Sequence, residues 1–426
     1  MAGTGMKSTT ASPYVPVANA LDRAGISPAL AVGYLGLLIF MIGDGVESAY
    51  LSRFLVDRGN GVEQVALLFT VYGLTASVAA WFSGALSDLI GPRRVMIAGL
   101  AIWIAAQLGF LLLGVGTNSY IGMLFFYAVR GFGYPLFAFG FLVWITRVTV
   151  RERLSSAAGW FWFAFTGGLP TLGALVAAML LPAIGPLTTL WVALGVIIVG
   201  GAIALLGLAR TPFGGPSAEA AHEHPIATLL TSLTLAYTRP KVAVAAAVRA
   251  INTASQFGFL LFLPIYFTRT LGFELTFWLR LVAVIFTTNI FFNLAFGLIG
   301  DRMGWRRTVA ICGGMGTAIS TLAMYYVPTV FGPSGAPWVI AAGAFYGATL
   351  AGYVPLTALT PWLAPERRGA AMSLLNLGAG ISVWLGPAVV GLLLAPIGAA
   401  GVMWTFALLH LLSAALAMTL TTPDGK

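Results

Sequence analysis

The stretch Gly84-Ala-Leu-Ser-Asp88-Leu-Ile-Gly91-Pro-Arg93-Arg94 is answered later in the chain by Gly297-Leu-Ile-Gly-Asp301-Arg-Met-Gly304-Trp-Arg306-Arg307. The offset is 213 at both Gly positions, at Asp and at both Arg positions. A second echo follows: Glu152-Arg153 and Glu366-Arg367 are offset by 214. Each polar stretch interrupts long apolar runs, so two copies of one architecture lie in parallel along the chain.

Outward from these loops the chain is written for a bilayer. Of its 426 residues 59% are apolar and 8% charged, and the mean hydropathy is +0.93. A soluble surface needs about a quarter of its residues charged. Barrel strands alternate over short segments, whereas these runs are continuous, and a spanning helix needs about 20 apolar residues. Twelve runs qualify: 29–50, 65–87, 95–115, 120–146, 155–181, 187–209, 241–268, 276–299, 308–327, 337–362, 370–395 and 399–420. The reading is an all-α membrane protein, twelve transmembrane helices in two six-helix pseudo-symmetric bundles. Its parts are a tail (1–28), a first bundle (29–209), a polar linker (210–240), a second bundle (241–420) and a tail (421–426).

Orientation follows from the cations. With both termini inside, 16 of the 22 Lys and Arg residues lie in inner segments and 3 (Arg53, Arg58 and Arg269) in outer loops, the bias that sets membrane topology. Residues 1–27 lack the apolar run of a signal peptide and read as a cytoplasmic tail. The single Cys312 permits no internal disulfide. His222 and His224 on the linker make too few ligands for a metal site. No metal, cofactor, nucleotide-binding loop or nucleophile cluster is expected, which excludes an ATP-driven pump and an enzyme. Parallel six-helix repeats are a property of secondary transporters with a central site.

The repeated Gly-x-x-x-Asp-x-x-Gly-x-Arg-Arg loop resembles the cytoplasmic signature of the major facilitator superfamily. Six further segments resemble its polyol permease family of bacterial ribitol and D-arabinitol permeases. They are Gly43-Asp44-Gly45-Val46-Glu47, Arg130-Gly-Phe-Gly-Tyr134-Pro135-Leu-Phe137, Gly159-Trp-Phe-Trp162, Ile251-Asn252-x-x-x-Gln256-Phe-Gly258, Gly352-Tyr353-Val-Pro355 and Met372-Ser-Leu-Leu-Asn376-Leu-Gly378. That family also has members labelled as 2-oxoglutarate permeases. The resemblance implies proton-coupled uptake by alternating access in the bacterial inner membrane, by a chain expected to be monomeric. Drug–proton antiporters of the superfamily carry a Gly-Pro-x-x-Gly-Gly type pattern on span 5. This chain has Pro170 and Gly173 without that pattern, which favours uptake over efflux; Gly167-Gly168-Leu169-Pro170 marks a kink there.

The residues then divide by chemistry. Asp88 and Asp301, with Arg93, Arg94, Arg306 and Arg307, are expected to gate the inner face. Each acid can meet a helix N-terminus and an Arg of the opposite half. Of 13 acids only Asp44 and Glu47 fall within a span. A carboxylate in hydrocarbon must pair, face water or bind a proton, so these two are the proton-coupling candidates. Arg130 is the expected counter-charge of Asp44, since spans 1 and 4 both line the cavity in this superfamily. Polar side chains at helical spacing form the candidate solute site: Arg130 with Tyr134, Arg249 with Asn252 and Gln256, Asn289 with Asn293, Tyr346 with Tyr353, and Asn376. Arg280, one turn from the outer end, is expected to snorkel. Amides and phenols both donate and accept, which suits a polyol, and Trp160 and Trp162 can stack on its C–H face. A pentitol is therefore the expected solute. A small organic acid held by Arg130 and Arg249 is the alternative.

Overall fold

The computed structural model describes residues 28–149, 154–209, 211, 233–364 and 368–421. Every regular element among them is helical. The spans are α1 Pro28–Asp57, α2 Val62–Ile90, α3 Pro92–Val115 and α4 Tyr120–Val148, α5 154–184 and α6 Pro186–Gly207. The second set is α7 Pro240–Thr270, α8 Leu275–Met303, α9 Trp305–Phe331 and α10 Pro333–Leu363, followed by one run, Arg368–Met418. Gly398, at φ 68°, breaks that run into α11 (368–397) and α12 (399–418). The twelve expected spans are thus present, the last two joined by a one-glycine turn.

The signature loops are superposable in conformation as well as in sequence. Gly91 sits at φ 91°, ψ 140° and Gly304 at φ 89°, ψ 134°. A side chain at either position would be strained, and the next helix starts on the following residue. Asp88 and Asp301 lie in the last turns of α2 and α8, their side chains outside the described residues. Arg93, Arg94 and Arg307 are exposed and Arg306 is half-buried. Glu152, Arg153, His222, His224, Glu366 and Arg367 also lie outside the described residues.

Two boundaries differ from expectation. α1 does not end at residue 50; after a turn at Ala49–Tyr50 it continues as Leu51–Asp57. Arg53 and Asp57 are therefore helical, not in a loop. Arg269 lies in a widened final turn of α7, Tyr266–Thr270. A similar widened turn, Gly167–Leu172, holds Pro170 inside α5, at the kink the Gly-Gly-Leu-Pro run predicts. Proline lacks the N–H that would continue the regular ladder.

The two bundles meet at the end far from the signature loops and, at mid-span, along α2 and α11, where Ser77 Oγ donates to the Gly380 carbonyl. Far from the signature loops, one apolar cluster joins Val46, Tyr50 and Phe54 to Phe259, Phe262, Phe267 and Trp278. Toward the signature loops the core divides. Phe40, Phe137, Phe141 and Trp144 form one cluster; Val242, Ala245, Val309 and Leu356 form another. The joined end is also hydrogen-bonded across the halves. Trp278 Nε1 donates to the Ala49 carbonyl at 3.0 Å, and Ser52 Oγ to the Leu260 carbonyl at 3.4 Å. Arg53 Nη1 donates to Thr268 Oγ1 at 2.9 Å, and Asp57 accepts from both Arg53 and Arg269 at 2.6 Å each. A cavity of about 230 Å³, lined by Tyr50, Arg53, Asp57 and Arg58 among others, opens beside this ion group.

Candidate functional site

The Gly-Asp-Gly run of α1 places its acid by elimination of space. A Cβ on Gly43 would lie 2.8 Å from Ile197 of α6, and one on Gly45 would lie 1.8 Å from the Leu169 carbonyl of α5. Two sides of α1 are thus pressed against α6 and α5, and Asp44 is turned toward α3. Its Oδ1 accepts from Trp103 Nε1 at 2.8 Å. Asp44 is 5% exposed and has no ion-pair partner among the described residues.

The expected Asp44–Arg130 pair does not form. Arg130 instead holds Glu47: Nη1 donates to Oε2 at 2.7 Å and Nη2 donates to Oε1. Nη1 also donates to Gln107 Oε1 at 2.5 Å, and Gln107 Nε2 reaches Glu47 Oε2 at 3.4 Å. Glu47 and Arg130 are each 1% exposed. The guanidinium carbon lies 4.4 Å from the Tyr127 ring centre, 5.0 Å from Trp103 and 5.4 Å from Tyr72. A cation is favoured over such faces. The Nε of Arg130 is buried without a partner. Tyr134, one turn on, is half-buried and stacks between Tyr72 and Phe165.

Trp103 and Gln107 were not among the expected site residues. They are four apart on α3, hence on one face, and a Gln inside a span is itself the signal that α3 carries part of the site.

The second bundle presents a different chemistry. Arg249, Thr253, Gln256 and Leu260 are half-buried on a 4–3–4 spacing down α7, flanked by buried residues. At its outer end the stripe reaches the other half, where the Leu260 carbonyl accepts from Ser52 of α1; midway, Thr253 Oγ1 lies 2.6 Å from Ser382 Oγ of α11 in the same half. Asn252 lies beside the stripe and is buried. Its Nδ2 donates to the Leu350 carbonyl of α10 at 3.3 Å, and its Oδ1 accepts from Arg249 Nη1. Asn289 donates to the Gly347 carbonyl at 3.1 Å and accepts from Asn293 at 3.4 Å. Gln256 and the exposed Asn376 make no hydrogen bond to the described residues. Arg280 is exposed near the start of α8, as its expected snorkelling requires. Trp162 is exposed and packs on Phe139 and Phe165; Trp160 is half-buried and stacks on Phe163.

Tyr346 and Tyr353 do not line a solute path in this structure. Both are buried in a network with His410 of α12, a residue the sequence reading passed over. Ser413 Oγ donates to the His410 carbonyl at 2.8 Å, so Ser413 must accept from Tyr353, 2.5 Å away. Tyr353 in turn accepts from His410 Nδ1 at 2.9 Å. On a neutral ring Nε2 is then an acceptor, taking the Ser255 hydrogen at 2.9 Å, and Ser255 accepts from Tyr346 at 2.7 Å. Each hydroxyl hydrogen is used once, so the network is closed and ties α7, α10 and α12 together.

Comparison with known proteins accords with this architecture. The Major Facilitator Superfamily profile matches residues 15–286 and 245–426. The chain is 43% identical to the alpha-ketoglutarate permease of Bacillus subtilis over 95% of its own length and 92% of that protein's. It is 37% identical to the D-arabinitol transporter and to the ribitol transporter of Klebsiella pneumoniae, over 91% of each partner. The fold is similar to that of a D-xylose-proton symporter, with TM-score 0.71 at 17% identity over 93% of this chain and 97% of the other. A human organic anion transporter superposes with TM-score 0.65, also at 17% identity, over 92% of this chain and 100% of the other. The twofold-repeated helices and signature loops therefore have their place among known carriers: the chain belongs to the major facilitator superfamily and is a membrane transporter, not an enzyme.

Proposed function

We propose that the chain is a proton-coupled symporter that brings a small hydrophilic carbon compound into the cell by alternating access. One observation carries this: Asp44 is buried on α1 with a single neutral donor as partner, three residues from a Glu47 that is locked onto Arg130. A carboxylate kept from water and without a direct ion pair is the group at which a proton comes and goes. Glu47, by contrast, is engaged by Arg130. The fold is also that of a protein titled a proton symporter. With the signature loops on the inside, as the cation bias directs, the joined end closes the outside. The divided part of the core then lies toward the cytoplasm, with both termini on that side. Signature-loop arginines and Asp88 and Asp301 act as the inner gate when the halves rock together.

The solute is read in two ways. A sugar alcohol, the expectation from amide supply and the substrate class in two relatives' names, is favoured by the unengaged amides of Gln256 and Asn376. An organic acid, as in the name of another relative, is favoured by the state of Arg249. Of the five candidate solute-site amides, Asn252, Asn289 and Asn293 are bonded to backbone or to other side chains, which narrows the first case.

The test is Asp44→Asn in proteoliposomes. Proton-driven accumulation should vanish while solute counterflow persists. Full accumulation by Asp44→Asn together with an inactive Glu47→Gln would move the proton to Glu47 and overturn the assignment.

A further inference from the structure

Arg249 is a cation inside a span with no carboxylate partner among the described residues. The two acids that could neutralise it are engaged elsewhere, Glu47 by Arg130 and Asp44 by Trp103, both within the first bundle. Arg249 lies nine residues into α7, about 13 Å from its start at 1.5 Å per residue. Helical side chains lean toward the helix N-terminus, which for α7 is the signature-loop end. A snorkelling Arg would follow that lean. Arg249 instead donates from Nη1 to Asn252, three residues deeper. Asn252 is not free to accommodate it: its amide nitrogen is fixed on the Leu350 carbonyl of α10. The carboxamide oxygen is thereby aimed at the guanidinium and holds it, while four of the five N–H donors make no hydrogen bond to the described residues. The side chain stands half-buried on the stripe of α7 that reaches the other half at its outer end.

We propose that Arg249 is an anion receptor in the transport path, oriented by Asn252, and that the solute it receives is a small carboxylate. This rests on the symport reading above and deepens it by naming the solute's charged group. An oriented guanidinium fork matches a carboxylate in a way that a neutral diol does not. A half-buried cation without a counter-charge is unfavourable until an anion arrives. Gln256, two turns further along the same stripe and unengaged, supplies a neutral amide for the remainder of the solute.

The experiment measures binding of 2-oxoglutarate, succinate, acetate, ribitol and D-arabinitol to purified full-length protein by thermal shift and calorimetry. At least one acid should bind, with Kd raised at least tenfold in Arg249→Gln. Arg249→Lys, which keeps the charge and guards against misfolding, should fall between. Asn252→Ala should raise Kd a few-fold by freeing the guanidinium. Retained binding of a polyol with Arg249→Gln within twofold of wild type, or no binding of any acid, overturns the proposal. Proton coupling is read separately through Asp44→Asn, so a polyol symporter would defeat the receptor and leave the symport reading standing.

Discussion

Removing the charge of Glu47 should harm the protein more than removing that of Asp44, although the two acids sit three residues apart on one helix. Glu47→Gln abolishes the ion pair with Arg130 and leaves a guanidinium 1% exposed. Breaking a buried pair from one side costs about 3–5 kcal/mol. Counting bonds gives a similar figure: two hydrogen bonds to a charged group at about 1.5–3 kcal/mol each. The faces of Tyr127, Trp103 and Tyr72 lie against the cation in both proteins and leave the difference unchanged. A net loss of about 3 kcal/mol is expected. Asp44→Asn is different in kind. The amide oxygen can still accept from Trp103 Nε1, no ion pair is broken, and the expected loss is below about 1 kcal/mol. Thermal unfolding of the three proteins in detergent, followed by tryptophan fluorescence, gives the order wild type ≥ Asp44→Asn > Glu47→Gln. Adding Arg130→Met to Glu47→Gln should recover part of the loss, because no charge is then left buried alone. An Asp44→Asn protein that melts well below Glu47→Gln would refute the pairing.

Gly45→Ala should prevent close packing of α1 on α5: the new Cβ would lie 1.8 Å from a backbone carbonyl, an overpacking cost of at least about 1–3 kcal/mol, read as lost folded yield. Asp57→Asn weakens the cross-half ion group. With the carboxylate 43% exposed, the cost is only about 0.2–1 kcal/mol per pair, so stability should hold while thiol-reagent access from the outer side increases; unchanged access counts against a latch. His410→Leu leaves Ser255 and Tyr353 without their acceptor and donor, and about 1–3 kcal/mol should be lost per orphaned buried group, detected as a lower melting temperature. A His410→Leu protein as stable as wild type would contradict the closed network.

The topology was legible because a bilayer permits so few solutions: long apolar runs, a cation bias and a repeated loop suffice. Helix ends were harder. Arg53 and Asp57 look like loop residues, yet they are helical and bond across to Thr268 and Arg269, contacts 215 and 212 residues away in sequence. That misplaced end carried the Asp44–Arg130 error with it. From the observed ends, Glu47 lies ten residues above Asp57 and Arg130 ten residues beyond Tyr120, so both sit about 15 Å deep from the same side. With α1 ended at residue 50, Glu47 seemed too near the surface. The burial of Tyr346 and Tyr353 was hidden for another reason: spacing shows which residues share a face but not what covers it, and His410 meets Tyr353 directly and Tyr346 through Ser255. The family resemblance located the helices of the site; which polar groups remain available to a solute emerged only from their bonds.

Under the proposed symport, with Glu47 held by Arg130, Asp44 is the one buried carboxylate without an ion pair among the described residues, and a single proton then bounds the work the carrier performs. A single proton falling through 100 mV releases about 2.3 kcal/mol, and about 1.4 kcal/mol is a factor of ten. A neutral solute could therefore be concentrated roughly 40-fold per 100 mV. A monoanion cancels the proton's charge, the voltage drops out, and the acidity difference alone supplies the gradient. A dianion moved with one proton works against the voltage. If Arg249 receives the solute as proposed, the charge of that solute decides how far the carrier can concentrate it.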